Sequence, residues 1–282
     1  MKKINISILI ANYNGEKYLD RCLKSCINQK TEKNYEIIFI DDSSSDNSLE
    51  IVKKYKKKIR IIKTKKIKNV SIFNTYYQLN TYFIGYKKAK GNIICFLDSD
   101  DYFKKNKLSK IESNFSKNKK LEFIFDSPIL INSKGRVKNI TNKYGFRDKK
   151  WPKFPPQSCI SIKRNVIENN IKKLFQKKFH LTTLDFRIAS LADINRKKTL
   201  FLNDELTFYF QHTGNETNKN FKKFNVNWFK RRLEAYKYYK NMNNKKFTTF
   251  DYIFTATLTF SLEHICFYMN KIKQYLSKIM LR

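Results

Sequence analysis

The chain has 282 residues, 41% hydrophobic and 15% aromatic, enough to bury a core. That excludes a disordered tail, a collagen-like fibre and a disulfide-stapled miniprotein. Lys and Arg number 59 against 24 Asp and Glu, a formal charge of +35 that points toward nucleic acid or an anionic membrane surface, although a Lys-rich solvated surface accounts for most of it.

In chain order, the first 130 residues alternate strand and helix. Ile6–Ile10 is a largely apolar run suited to a buried parallel strand. Asn12 to Gly15 make a turn. Leu19, Cys22, Leu23, Cys26 and Ile27 then recur at helical spacing. Tyr35–Ile40 is a second buried strand, ending on Asp41 and Asp42. A polar loop leads to a helix through Leu49, Ile51, Val52 and Tyr55. Ile59–Ile62 is a third strand. Tyr76, Leu79, Phe83 and Tyr86 space out a third helix, which Gly91 follows. Ile93–Leu97 is a fourth strand, ending on Asp98, Ser99, Asp100 and Asp101.

Strands separated by helices imply right-handed βαβ units and a mostly parallel, Rossmann-like sheet. Ligands bind such sheets at the carboxyl ends of the strands. The clusters Asn12–Asn14, Asp41–Asp42 and Asp98–Asp101 all fall at such ends, which argues for one site.

Further on, Leu121–Phe125 and Ile129–Ile131 read as two strands. Residues 149–157 read as a loop because of Pro152, Pro155 and Pro156. Thr183 to Ala192 reads as a helix, and the chain from Phe221 onward as helices. There, thirteen Lys and Arg stand against Glu234, Asp251 and Glu263. The expected organisation is an α/β domain over 1–215 and a basic helical extension over 216–282.

The five cysteines are Cys22, Cys26, Cys95, Cys159 and Cys266. Their odd number and lack of metal spacing suit core thiols in a reducing compartment. The N-terminal run lacks a long apolar region and reads as a strand rather than a leader. No stretch has the ~18 unbroken apolar residues of a membrane span. The expected location is cytoplasmic, with peripheral contact on the inner membrane face.

Asp98-x-Asp100 after an apolar strand carries the chemistry. Two carboxylates one residue apart can grip a hard cation such as Mg2+ or Mn2+, which would neutralise a diphosphate leaving group. Both acids equally suit a capped helix start.

The stretches ISILIANYNGEKYLDRCLKSCINQ, YEIIFIDDSSSDNS and KKAKGNIICFLDSDDYFKKNKL resemble, in order and spacing, the catalytic domain of glycosyltransferase family 2. The resemblance covers residues 4–108 and implies the GT-A fold, a nucleotide-diphosphate sugar donor and inverting stereochemistry. It implies that Tyr13 flanks the base, with Ala11 and Asn12 shaping the first loop. Asp42 would accept a hydrogen bond from base or ribose, supported by Asp41. Asp98 and Ser99 would lie near ribose and diphosphate, and Asp100 would be the main metal ligand. At the family-like distance, Asp185 is the expected catalytic base, although Leu184 stands where relatives often carry an acid. Asp148, Glu168 and Asp193 are rival bases. Relatives often carry Arg-Asn shortly before Gly85, where this chain has Tyr82 and Phe83. Gln78 or Asn80, one turn earlier, could substitute in touching the nucleotide, although both suit a polar helix face better.

The segment 203–212 resembles the strand and loop that close the site in this family, and His212 is expected to reach the metal or diphosphate. Trp151, Gln157 and Ser158 stand where relatives contact acceptor. The basic C-terminal residues Lys222, Lys223, Lys230, Arg231 and Arg232 would suit a lipid-linked acceptor at an anionic membrane. The expected role is surface polysaccharide assembly on a glycan or lipid-linked glycan.

Three rival readings remain. A haloacid-dehalogenase-like phosphatase usually has Thr or Val where Tyr102 stands. A catalytically inactive glycan binder does not need Asp42, Asp98 and Asp100 intact. A basic nucleic-acid- or membrane-surface-binding protein without catalysis would carry clustered Arg, and no specific nucleic-acid motif occurs here.

Overall fold

A computed structural model describes residues 4–65, 74–132, 134–135, 137–139, 144–146, 153–212, 225–243 and 252–262, with 265 and 269. The chain divides into two compact units, 1–212 and 213–282. The boundary expected after residue 215 lies outside the described residues.

The first unit begins with β1 (Ile6–Asn12), α1 (Glu16–Ile27), β2 (Tyr35–Asp41), α2 (Ser48–Lys53), β3 (Arg60–Lys63), α3 (Asn74–Lys88) and β4 (Ile93–Asp98). β5 (Tyr102–Phe103), α4 (Lys107–Lys117), β6 (Phe123–Asn132) and β7 (Val137–Asn139) follow. The unit ends with β8 (Ile160–Lys163), α5 (Arg164–Asn169), α6 (Ile171–Leu174), α7 (Leu184–Ile194) and β9 (Thr199–Gln211). These strands form one sheet in the order β3-β2-β1-β4-β8-β6-β9-β5, with β7 beside β6.

The first four strands run parallel, so β1 has neighbours reached in opposite directions along the sheet. That is the switch point at which such sheets open a crevice. β1 is buried throughout. On one side of the sheet, its Ile6, Ile8 and Ile10 join Leu19, Cys22, Leu23 and Cys26 of α1 in one core cluster. Gly15 and Gly91 sit where a side chain would clash. A Cβ at Gly15 would stand 2.3 Å from Asn12 Oδ1, and one at Gly91 2.4 Å from Ser7 N. Cys22, Cys26, Cys95 and Cys159 are buried free thiols.

The GT-A architecture expected from the sequence is present, with differences in its second half. β8 runs antiparallel to both β4 and β6, and β5 antiparallel to β9. The two strands expected over 121–131 are one continuous β6. It passes through Asp126, Ser127 and Pro128 because the pairing with β9 shifts register there. A bulge of this kind accommodates proline in a strand. Asp126 is fully buried because Lys107 Nζ donates to its Oδ2 at 2.6 Å and Thr207 Oγ1 to its Oδ1 at 2.6 Å.

In the second unit, α8 (Val226–Asn243) buries Phe229, Tyr236, Tyr238 and Tyr239. A helical segment over 252–262 buries Thr255 and Thr259 and exposes Ile253, Phe254 and Phe260. Ile265 and Met269 are also exposed. Among the described residues, no helix is long and apolar enough to cross a membrane.

Candidate functional site

Register brings the polar strand ends together. Ala11 lies opposite Asp98, and Asn12 opposite Asp41. Asn12 Nδ2 donates to Asp41 Oδ1 at 3.0 Å and to Ser44 Oγ at 3.1 Å. Ser44 returns two bonds to Asp41, its hydroxyl to Oδ1 at 2.6 Å and its N–H to Oδ2 at 3.0 Å. Asp41 therefore acts as the frame of the first two loops. Asn12 Oδ1 is buried with no hydrogen-bond partner. Asp42 takes the Thr64 hydroxyl on Oδ1 at 2.7 Å. Burial pushes its carboxyl up, Asp41 adding to the shift against the Thr64 bond. Tyr13 is 52% exposed at the rim. Asn14 and Ser43 hold positive φ at 50° and 59° on either side of this corner.

Asp98–Asp101 form a turn closed by Asp101 N–H donating to Asp98 O at 3.0 Å. Asp98 Oδ1 accepts the Gln78 amide at 2.8 Å and the Tyr82 hydroxyl at 2.7 Å. Burial and then the Asp100 charge push its carboxyl up to about 7, against the Tyr82 and Gln78 bonds. Asp100 Oδ2 lies 3.0 Å from His212 Nε2. Arg21 lies behind the turn, its guanidinium 4.3 Å from the Tyr102 ring centroid and 4.9 Å from that of Phe210.

Asp185 sits in the first turn of α7, with Phe186 N–H on its Oδ1 at 2.7 Å. Its charge raises the carboxyl of Asp98 and the phenol of Tyr209, so it belongs to the same electrostatic neighbourhood. The loop before α7 is fixed by buried Arg187, whose guanidinium donates to the carbonyls of Leu174, Gln176, Phe179 and Thr182. Among the rivals, Glu168 pairs with Arg164 and Asp193 with Arg196. Asp148 and Trp151 lie outside the described residues, as do Lys222 and Lys223. His180 packs on the Tyr76 ring at 4.8 Å.

Of Gln78 and Asn80, named with a polar helix face as the favoured reading, Gln78 holds Asp98 through its amide. Sequence reasoning did not single out Tyr82 as a ligand of Asp98, because the buried tyrosine reads as core on a helix face. Ser158, expected with Gln157 among the acceptor contacts, is instead buried beneath the turn, where its Oγ accepts the Asp98 N–H at 3.0 Å. Ser158 follows a proline-rich stretch, and no local pattern there marks a bond to the Asp98 turn.

Among the described residues, no group of three or more His, Cys, Asp or Glu side chains is arranged to hold a metal by itself. The donor set still fits a divalent cation. Asp100 and His212 form an adjacent, partly exposed carboxylate–imidazole pair, at 25% and 18% exposure. Mg2+ usually takes only one or two carboxylates from protein and completes its shell with phosphate oxygens and water.

The family model Glycosyl transferase family 2 matches residues 7–170. An uncharacterised glycosyltransferase of Haemophilus influenzae is 40% identical over 105 residues, 37% of this chain and 40% of that protein. A poly(ribitol-phosphate) beta-glucosyltransferase of Bacillus spizizenii is 36% identical over 138 residues, 49% of this chain and 21% of that protein. The chain thus spans well under half of these relatives. The structure of Staphylococcus aureus TarS residues 1–349 in complex with UDP-GlcNAc has a TM-score of 0.64 at 16% identity, covering 92% of this chain and 71% of that one. With a match over more than half its length, carrying all three strand-end clusters, the chain belongs to glycosyl transferase family 2.

Proposed function

We propose that this chain is a metal-dependent inverting glycosyltransferase. It moves a sugar from a nucleotide-diphosphate donor to a hydroxyl of a glycan or lipid-linked glycan, in surface polysaccharide assembly. The observation that carries the reading is the convergence of Asp98, Asp100, His212 and Asp185 around the ends of β1 and β4. The partly buried Asp42 offers an acceptor to a base N–H or ribose hydroxyl. The name of the poly(ribitol-phosphate) beta-glucosyltransferase relative and the UDP-GlcNAc complex of TarS support the acceptor and donor classes.

Asp100 and His212 would hold Mn2+ or Mg2+, with Asp98 and Ser99 beside the ribose and diphosphate. When bound, the cation supplies positive charge against the departing diphosphate. Asp185 takes the proton of the acceptor hydroxyl as that oxygen bonds the anomeric carbon. The bond to the diphosphate oxygen breaks in the same displacement, which inverts the centre. The helix N-terminus favours the ionised form that a base needs.

The test is a screen of nucleotide-diphosphate sugars with Mn2+ for nucleotide release, followed by Asp185→Asn with the active donor. The variant should keep donor affinity and lose roughly 10²–10⁴-fold in turnover. Loss of donor binding would move Asp185 into the donor site, and unchanged turnover would remove it as base.

A peripheral contact with anionic membrane on the cytoplasmic side belongs to the same reading. It is supported by exposed Ile253, Phe254, Phe260, Ile265 and Met269 in a unit rich in Lys and Arg. Flotation with phosphatidylserine vesicles, absent with neutral ones, is the expected outcome. Equal behaviour with both would remove the contact.

A further inference from the structure

The buried carboxylate of Asp101 joins three segments distant in sequence. It is 0% exposed. Its Oδ2 accepts the Ser158 hydroxyl at 2.5 Å, and its Oδ1 accepts the Phe210 N–H at 2.9 Å. Ser158 Oγ also accepts the Asp98 N–H, so one hydroxyl serves both ends of the Asp98–Asp101 turn. Ser158 is itself fixed, because Lys107 Nζ donates to its carbonyl at 2.8 Å from within the buried pair with Asp126.

Phe210 is two residues before His212. The Tyr18 ring of α1 packs against this strand end, its centroid 4.9 Å from that of Phe210 and 4.8 Å from that of His212. Asp101 thus holds the strand end through the Phe210 N–H, and the Tyr18 ring packs against Phe210 and His212. His212 Nε2 is left against Asp100 Oδ2, one residue from the pinning carboxylate.

We propose that Asp101 is a positioning residue for the cation site. It sets the turn bearing Asp98 and Asp100 against the end of β9 bearing His212, and Ser158 is its intermediary. The chemistry requires a carboxylate. An amide at 101 keeps one acceptor but presents N–H₂ to Ser158. The serine hydroxyl then loses its acceptor, and the Asp98 N–H must share an oxygen already taken by the new donor.

This inference rests on the reading of the site as a divalent-cation and diphosphate site. The probe is UDP, titrated by calorimetry with and without saturating Mn2+, well below the melting temperature of each variant. In Asp101→Asn, the gain in UDP affinity that Mn2+ brings should fall by about tenfold, while UDP affinity without Mn2+ holds. His212→Ala should do the same, and the double variant should be no weaker than the weaker single, because residues acting through one another are not additive. Ser158→Ala, which keeps the carboxylate, carries the same test if Asp101→Asn does not fold. Additive losses, equal losses with and without Mn2+, or an unchanged gain would overturn the positioning role. A wild-type chain that binds UDP with no gain from Mn2+ would instead sink the cation-site reading, and this inference with it.

Discussion

Asp98 shows how one residue records the electrostatics of the site. Its carboxyl is pushed up to about 7 by burial and by Asp100, so in the metal-free protein it binds a proton that the unfolded chain releases at ordinary carboxylate pH. A group raised in the folded state stabilises at low pH and loses that contribution as pH rises toward its folded value. In the metal-free protein the contribution of Asp98 to thermal stability should therefore fall between about pH 4 and about 7. Asp98→Asn should flatten that fall in a melting series, and an unchanged slope would assign the dependence to other groups. The acids at the strand ends were legible in the sequence because apolar runs ending in Asp stand out. Tyr82 and Ser158 were not, because their roles exist only once α3 and the turn before β8 meet Asp98.

At the scale of elements, the alternation through β4 was legible because each strand is apolar and each helix has one apolar face. β6 was misread as two strands. Asp126, Ser127 and Pro128 carry a turn's composition, and their strand conformation depends on Lys107, far along the chain. β8 was missed because four residues, with Ser161 among them, give too short a pattern. The Lys107–Asp126 pair that resolves β6 is fully buried. Removing one partner of such a pair leaves an uncompensated charge. Lys107→Met should cost about 3–5 kcal/mol in urea denaturation. A midpoint within error of the wild type would show that the pair adds little to holding β6, β9 and the turn at Ser158 together.

At the scale of the molecule, the charge of +35 was the most conspicuous property of the sequence and the least informative about the site. The site is built from acids, amides and hydroxyls at one sheet edge, and the family match covers that half of the chain. The overall architecture was legible from the strand-end clusters, whereas the antiparallel half was set by pairings no local pattern encodes. The central claim is that the crevice at β1 and β4 binds a nucleotide diphosphate through a cation on Asp100. The most direct measurement is a crystal structure with UDP and Mn2+, the manganese located by its anomalous scattering. The expected result is an ion bonded to the Asp100 carboxylate and to the diphosphate, with the base beside Asp42 and Tyr13. Manganese or diphosphate bound away from Asp100, with UDP ordered elsewhere on the chain, would contradict it.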